Sequence, residues 1–374
     1  CEYKYDAYGN HKVYNSNNVE STSKYFIGNI NPFRYKGYYY GVNMNSVQQS
    51  QTMFARRAFE MLASNTVTVG NYARGVKNFF GDLTICTDDE KHLESCLNNY
   101  CGDEEARDKY RLLGLRKVLR EHLYEDRLGY IVSKVFGKDM RTKLPLITVV
   151  AKAESNVEAD RVLSMFRAQT YDNKKLALYT ALDTLQVEDE RIAIYPISDA
   201  ERTNIGAITK EGYVAVFSAQ DWYGENYLLD MALTMRYGTY DAIGKKERFV
   251  SKNGTLERTN IGEAYKAVDE LPVEASMATI SNVESISSTS NENYSMVIMD
   301  KVAEVTAASL FAGEQWRFST MMSIDRYNYA SGWTEKECPG AEDMCIPDQG
   351  LSMAEIEHVA EAIQAEEHSG QFVK

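Results

Sequence analysis

Three periodicities succeed one another along the chain. Up to about residue 43, short alternating stretches rich in Tyr, Asn and Gly flank the turn signal Tyr8-Gly9-Asn10, a hairpin pattern. From about 45 to 140 the spacing turns helical. Met53, Phe54, Phe59, Met61 and Leu62, then Leu112, Leu113, Leu115, Val118 and Leu119, predict several amphipathic helices. At Leu144-Pro145-Leu146-Ile147-Thr148-Val149-Val150 an apolar, β-branched run begins, of the length of a buried parallel strand. Asn156 is placed to cap the following helix, which carries Val162, Leu163 and Phe166. Further strands are expected over Leu176 to Ala181, ending at Asp183, over Arg191 to Tyr195, and over Tyr213 to Phe217, running into Asp221. Strands alternating with helices argue for a mostly parallel α/β sheet, whose ligands sit outside the carboxyl ends of the strands.

The pattern changes predict four segments: a β-rich stretch at 1–43, a helical segment at 44–140, an α/β domain at 141–335 and a tail at 336–374. Residues 276–296, rich in Ser, Thr and Asn, read as a loop or edge strand. The tail carries Pro339 and Pro347, then an amphipathic stretch through Ile356, Val359 and Ile363, read as a docked or partner-binding terminus. Acidic clusters at Asp88-Asp89-Glu90 and Asp103-Glu104-Glu105 read as solvated faces or first helical turns. The hexapeptide Glu-Arg-Thr-Asn-Ile-Gly occurs at 201–206 and again at 257–262, too short for a repeat architecture.

Charge narrows the partners. A net charge of −13 and a pI near 5.1 repel nucleic acid and anionic lipid surfaces, except where a local basic patch intervenes. No run of eighteen apolar residues and no signal-like N-terminus is visible, so no integral membrane segment is expected; a start at Cys1 leaves room for an upstream piece. The six cysteines lack a C-x-x-C pair and the five histidines are scattered, which argues against structural zinc. Free thiols fit a cytoplasmic protein, whereas Cys96 with Cys101 and Cys338 with Cys345 could pair in an exported one.

Two resemblances add to this reading. Tyr5-Asp6-Ala7-Tyr8-Gly9-Asn10 and Asn31-Pro32-Phe33-Arg34-Tyr35-Lys36-Gly37-Tyr38-Tyr39-Tyr40 resemble the end of an RHS/YD-repeat shell, over about forty residues and without a complete cage repeat. Residues from about 141 to 330 resemble a family 2 glycosyltransferase of the GT-A type, in a subfamily linked to bacterial cell-surface and spore glycans. The resemblance is carried by Ile147-Thr148-Val149-Val150, by Gln169-Thr170-Tyr171 and by the segment from Tyr213 through Asp221-Trp222-Tyr223-Gly224 to Leu228. It continues through Ala242-Ile243-Gly244-Lys245-Lys246, Gly313-Glu314-Gln315-Trp316 and Asp325-Arg326-Tyr327-Asn328-Tyr329.

This second resemblance implies a GT-A (Rossmann-like) mixed, mostly parallel sheet flanked by helices, and transfer of a sugar from a nucleotide-sugar donor to a glycan or protein acceptor. It implies that Asp183 contacts a uracil base, that Asp221 holds Mn2+ or Mg2+ on the departing diphosphate, and that Glu314 is the base that deprotonates the acceptor. The chain departs from the pattern where Ser218, Ala219 and Gln220 replace aspartates and Gln315 replaces another, and the spacing from Glu314 to Asp325 is short. The alternatives are an inactive GT-A-like structural or assembly module, which the lost aspartates favour, and a toxin cargo of an RHS-type protein, which would be secreted. A homo-oligomer stays open.

Overall fold

The computed structural model describes residues 2–5, 11–14, 40–138, 143–182, 185–280, 302–313 and 315–333, with isolated positions between 352 and 365. The chain divides into two compact units, built chiefly from residues 33–142 and 143–346. Strands β1 (Glu2–Tyr5) and β2 (His11–Tyr14) form a two-stranded sheet. Most of the RHS-like stretch, including 31–39, lies outside the described residues.

The first unit is not the purely helical segment that its periodicity suggests. Strands β3 (Tyr40–Val42), β4 (Val67–Gly70) and β5 (Ile85–Cys86) form a parallel sheet in that order. Helix α1 (Arg57–Ala63) connects the first pair and α2 (Arg74–Phe80) the second. Strands of two to four residues are at or below the shortest window in which alternation can be counted, so the helices dominated the pattern. The core joins Ala58, Leu62, Val76, Phe80, Leu83 and Val118, with Phe54 and Phe59 packed against it. Helices α3 (Glu90–Gly102) and α4 (Glu104–Glu121) each start at an aspartate cap. Asp89 Oδ1 accepts from the backbone N–H groups of Lys91 and His92, and Asp103 Oδ1 from those of Glu105 and Ala106. The acidic clusters are therefore caps and first turns. Helix α5 (Tyr124–Phe136) ends at Gly137, whose φ of 66° is the left-handed conformation that stops a helix.

The second unit is built on an eight-stranded mixed sheet. Its members in chain order are β6 (Ile147–Ala153), β7 (Lys174–Thr180), β8 (Ile192–Pro196), β9 (Tyr213–Phe217), β11 (Ala242–Gly244), β14 (Lys266–Ala267), β16 (Ser276–Thr279) and β18 (Met321–Ser323). Across the sheet the order is β14-β18-β11-β16-β9-β6-β7-β8. Strands β8, β7, β6 and β9 are parallel neighbours. β6 and β9 are buried on both faces at nearly every residue, which explains their unbroken apolar runs. Helix α6 (Asn156–Ala168) follows β6, and its cap is Ser155, whose Oγ accepts from Glu158 N–H; Asn156, expected as the cap, is the first helical residue.

Strand β16 is a second correction. Residues 276–279 are neither loop nor edge but lie inside the sheet, antiparallel to both β11 and β9. Ser276 is fully buried there because its hydroxyl donates to the Pro272 carbonyl, so a polar composition conceals a core strand. Residues 281–296 lie outside the described residues.

A smaller sheet in the same unit has the order β10-β19-β12-β13, from β10 (Trp222–Tyr223), β12 (Arg248–Lys252), β13 (Thr255–Thr259) and β19 (Tyr329–Ser331). A short pair joins β15 (Leu271–Pro272) to β17 (Gln315–Trp316). Three helices complete it: α7 (Ile205–Ile208), α8 (Tyr227–Thr234) and α9 (Ala307–Ala312). Of the tail's apolar positions, Ile356, Val359 and Ile363 lie outside the described side chains. No helix among the described residues is long and apolar enough to cross a membrane.

Candidate functional site

The chain runs from β6 to β7 to β8 in one direction across the sheet, then returns to place β9 on the other side of β6. Between β6 and β9 the connections therefore diverge, which opens a crevice at the carboxyl ends of these strands. A groove of about 260 Å³ lies there. It is lined by Lys152, Glu154 and Glu158 on one side, by Val216 through Gln220 on the other, and by Glu274 and Phe311.

Local structure fixes the lining. Capping of α6 by Ser155 turns the chain just after β6, and Glu158 Oε2 accepts from the Glu154 backbone N–H at 2.7 Å. Lys152 Nζ pairs with Glu154 Oε1 at 2.6 Å. Gln220 Nε2 reaches Glu158 Oε1 across the groove at 3.4 Å, and the Gln220 backbone N–H donates to Ser218 Oγ. Beneath them Phe217 stacks on Tyr223 with centroids 3.9 Å apart. The Tyr223 hydroxyl accepts from Ser218 N–H and reaches the carbonyls of Val216 and Glu274. The strand-end loop is thus held from below by one buried tyrosine.

Asp221 belongs to a different environment. It is 6% exposed and is not part of the groove lining. Its Oδ2 accepts from the Tyr329 hydroxyl and its Oδ1 from the Gly332 backbone N–H, each at 2.8 Å. Burial pushes its carboxyl above the usual carboxylate range, against the pull of those two hydrogen bonds and of the Arg248 and Arg161 charges. Beside it, Trp222 and Tyr223 pair with Ala330 and Tyr329. The Arg161 guanidinium lies over the Trp333 ring at 5.3 Å and donates to the Trp333 carbonyl.

Asp183 and Glu314 lie outside the described residues, so of the three expected acids only Asp221 has a described place. A divalent cation between phosphates is held by one or two carboxylates; Asp221 is buried and off the groove lining, and each of its oxygens accepts a hydrogen bond. Ser218, Ala219 and Gln220 supply no carboxylate, and among the described residues no group of three His, Cys, Asp or Glu side chains is placed to hold a metal ion. The described residues 218–221 therefore offer a cation no exposed carboxylate.

The groove residues Lys152, Glu154, Glu158 and Glu274 were not singled out by motif. Glu154 and Glu158 were accessible in principle, since they follow a predicted strand directly and stand four apart at the start of a predicted helix. Glu274 was not, because it reaches the groove from a turn that follows neither β6 nor β9 directly.

Asp325 and Lys245, both in stretches that carry the resemblance, form a second buried cluster. Lys245 Nζ meets Asp325 Oδ1 at 2.9 Å, with the side chains 0% and 3% exposed. Asp325 also accepts from Tyr327 N–H, and burial pushes its carboxyl up while Lys245 pulls against that rise. Glu247, also buried, receives Arg258, Arg326 and the Gly262 backbone N–H. These contacts pin the returning chain at 325–329 to the sheet.

Fold and groove define the second unit as an α/β module with a crevice at a reversal of strand order. Residues 9–133 match the sequence profile of a family described as glycosyl transferase-like. That match falls on the first unit and the stretch before it, not on the 141–330 region whose motifs carry the resemblance. Among solved structures, the crystal structure of residues 1–349 of S. aureus TarS aligns with 50% of this chain and 60% of its own length, at 11% identity and a TM-score of 0.31. The chain thus spans less than two thirds of that structure, and the likeness is too distant to carry an argument. No curated protein matches.

Proposed function

We propose that the chain transfers a sugar from a nucleotide-sugar donor to a glycan or protein acceptor, and that residues 141–335 form a GT-A-type module binding that donor. The observation that carries this reading is the groove at the carboxyl ends of β6 and β9, where strand order reverses. The glycosyl transferase-like match over 9–133 supports the same class of reaction from the other unit.

In this reading Asp183 follows β7 and contacts the base of a uridine nucleotide. Glu314 takes the proton of the acceptor hydroxyl as its oxygen bonds to the anomeric carbon and the bond to the diphosphate oxygen breaks. Asp221 serves as an anchor rather than a cation ligand, and no step is assigned to a metal.

Thermal unfolding with uridine diphosphate, a uridine diphosphate sugar or neither, each with and without Mn2+, tests the proposal. A nucleotide that binds only the folded state raises Tm by mass action. Asp183→Asn should remove most of that rise. No shift with any nucleotide would overturn the reading. A second reading, a silent GT-A-like assembly module, is favoured by the engagement of both Asp221 oxygens; it predicts nucleotide binding without release of diphosphate in any acceptor mixture.

A further inference from the structure

Helix α5 of the first unit presents an apolar face that nothing in the described structure covers. Tyr124, Leu128, Ile131, Val135 and Phe136 are 71%, 62%, 57%, 68% and 70% exposed. The first four are spaced by four, three and four residues, which places them on one stripe of a helix. The opposite side is the packed one, through buried Asp126 and Gly129, and Asp126 closes the helix start by accepting from Leu123 N–H. Exposed large apolar side chains concentrated on one stripe, rather than scattered singly, mark a docking surface.

We infer that this stripe seats the helix in the interface of an anionic lipid surface. The charges at its edges decide between that occupant and a second copy of the chain. Lys134 lies on one rim near the helix end, exposed Lys138 follows just past it, and Glu125 lies on the opposite rim in the first turn. Antiparallel pairing of two such helices brings Lys134 level with Glu125 of the copy but joins like rims, so the two stay on opposite sides. Parallel pairing joins unlike rims but leaves a separation of nine positions, about 13 Å of helix, between acid and base. Neither arrangement matches the charges of a second copy.

A lipid surface does match them. Tyr124 heads the stripe and Leu128, Ile131 and Val135 form its aliphatic body, while Lys134, whose ammonium lies 5.4 Å over the Tyr130 ring, and Lys138 stand beside it on the side of the anionic headgroups. The net charge of −13 opposes such binding at long range, but screening confines the effective field to about 8 Å at physiological salt, so the local lysines govern.

Co-sedimentation of the full chain with vesicles of phosphatidylcholine alone, or with added phosphatidylglycerol, tests this, with sedimentation velocity run alongside. The expected result is binding to the phosphatidylglycerol vesicles that is lost in the doubly substituted L128E/I131E. Lys134→Ala with Lys138→Ala should weaken it on the order of tenfold or more, since each lysine near such a surface contributes about fivefold. Both pairs are exposed, and circular dichroism verifies that the variants keep their fold. Three outcomes overturn the inference: no binding to either vesicle, binding indifferent to L128E/I131E, or a dimer that L128E/I131E dissociates without any vesicle binding.

Discussion

The Tyr329 hydroxyl donates to Asp221 Oδ2 at 2.8 Å, across 108 residues of sequence. This bond, with that from Gly332 N–H to Oδ1, ties Asp221, the acid that the motif offers for cation binding, to the β10–β19 ribbon. Replacing Asp221 with Ala leaves two donors without their acceptor and should cost about 2–4 kcal/mol in urea unfolding. Asp221→Asn should cost less, because it retains an acceptor and removes the penalty of a buried charge. Mn2+ titration by calorimetry should give the same result for wild type and Asp221→Asn; saturable binding present only in wild type would refute the anchor role.

The Lys245–Asp325 pair makes a second prediction. Removing one partner leaves an uncompensated buried charge, so Lys245→Met or Asp325→Leu alone should destabilise by about 3–5 kcal/mol. Together the two substitutions should cost less than either alone, since a buried ion pair and an apolar pair of similar volume are close in energy. A double-mutant cycle by denaturant unfolding measures this coupling, and simple additivity would show that the pair does not act as a unit.

His122 predicts a pH dependence. The ring is 4% exposed, neither ring nitrogen has a hydrogen-bond partner among the described residues, and Phe59 and Phe80 present edge-on rings 5.4 and 6.0 Å away. Burial, helped by the Arg127 and Lys117 charges, lowers its pKa to about 3. The unfolded chain, with an ordinary pKa near 6.5, therefore binds a proton that the folded chain refuses between those values. The contribution of neutral His122 is complete above about pH 6.5 and falls as pH drops through that window, by at most about 1.4 kcal/mol per unit. Unfolding at several pH values should show a shallower acid slope for His122→Leu than for wild type; equal slopes would mean that the ring does protonate in the folded state.

Gly212 predicts a backbone effect at the amino end of β9, the end away from the groove. Its φ is +85°, and a Cβ there would collide with the Leu146 carbonyl oxygen, the acceptor of the Tyr213 N–H that begins β9. Gly212→Ala should cost more than about 1 kcal/mol and loosen β9 first. Hydrogen exchange at the amides of 213–217 should rise in the variant, while amides of 67–70 in the other unit keep wild-type protection.

Much of the larger sheet was legible because β6, β7, β8 and β9 are long enough for composition to reveal them. Their order was not: nothing in the residues of β16 says that it separates β9 from β11. Asp221 was legible as a strand-end acid, but its engagement with Tyr329 was not, because the partner arrives from the far end of the domain. The groove was legible as a place, the carboxyl ends of parallel strands, and only partly as a set of residues.

The repeated hexapeptide separates the two kinds of information most directly. At 201–206 its isoleucine, Ile205, is fully buried at the start of α7, and Asn204 bridges to Thr306. At 257–262 the same six residues complete β13 and turn at Asn260 and Gly262, with Ile261 69% exposed. Sequence alone determined which stretches carry enough apolar surface to form the core, because that property belongs to each residue and its near neighbours. Tertiary structure decided what Ile205 and Ile261, or Asp221, would do, because burial and hydrogen-bond partners are supplied by segments distant in the chain, and their energies exceed the weak local preference of any six residues.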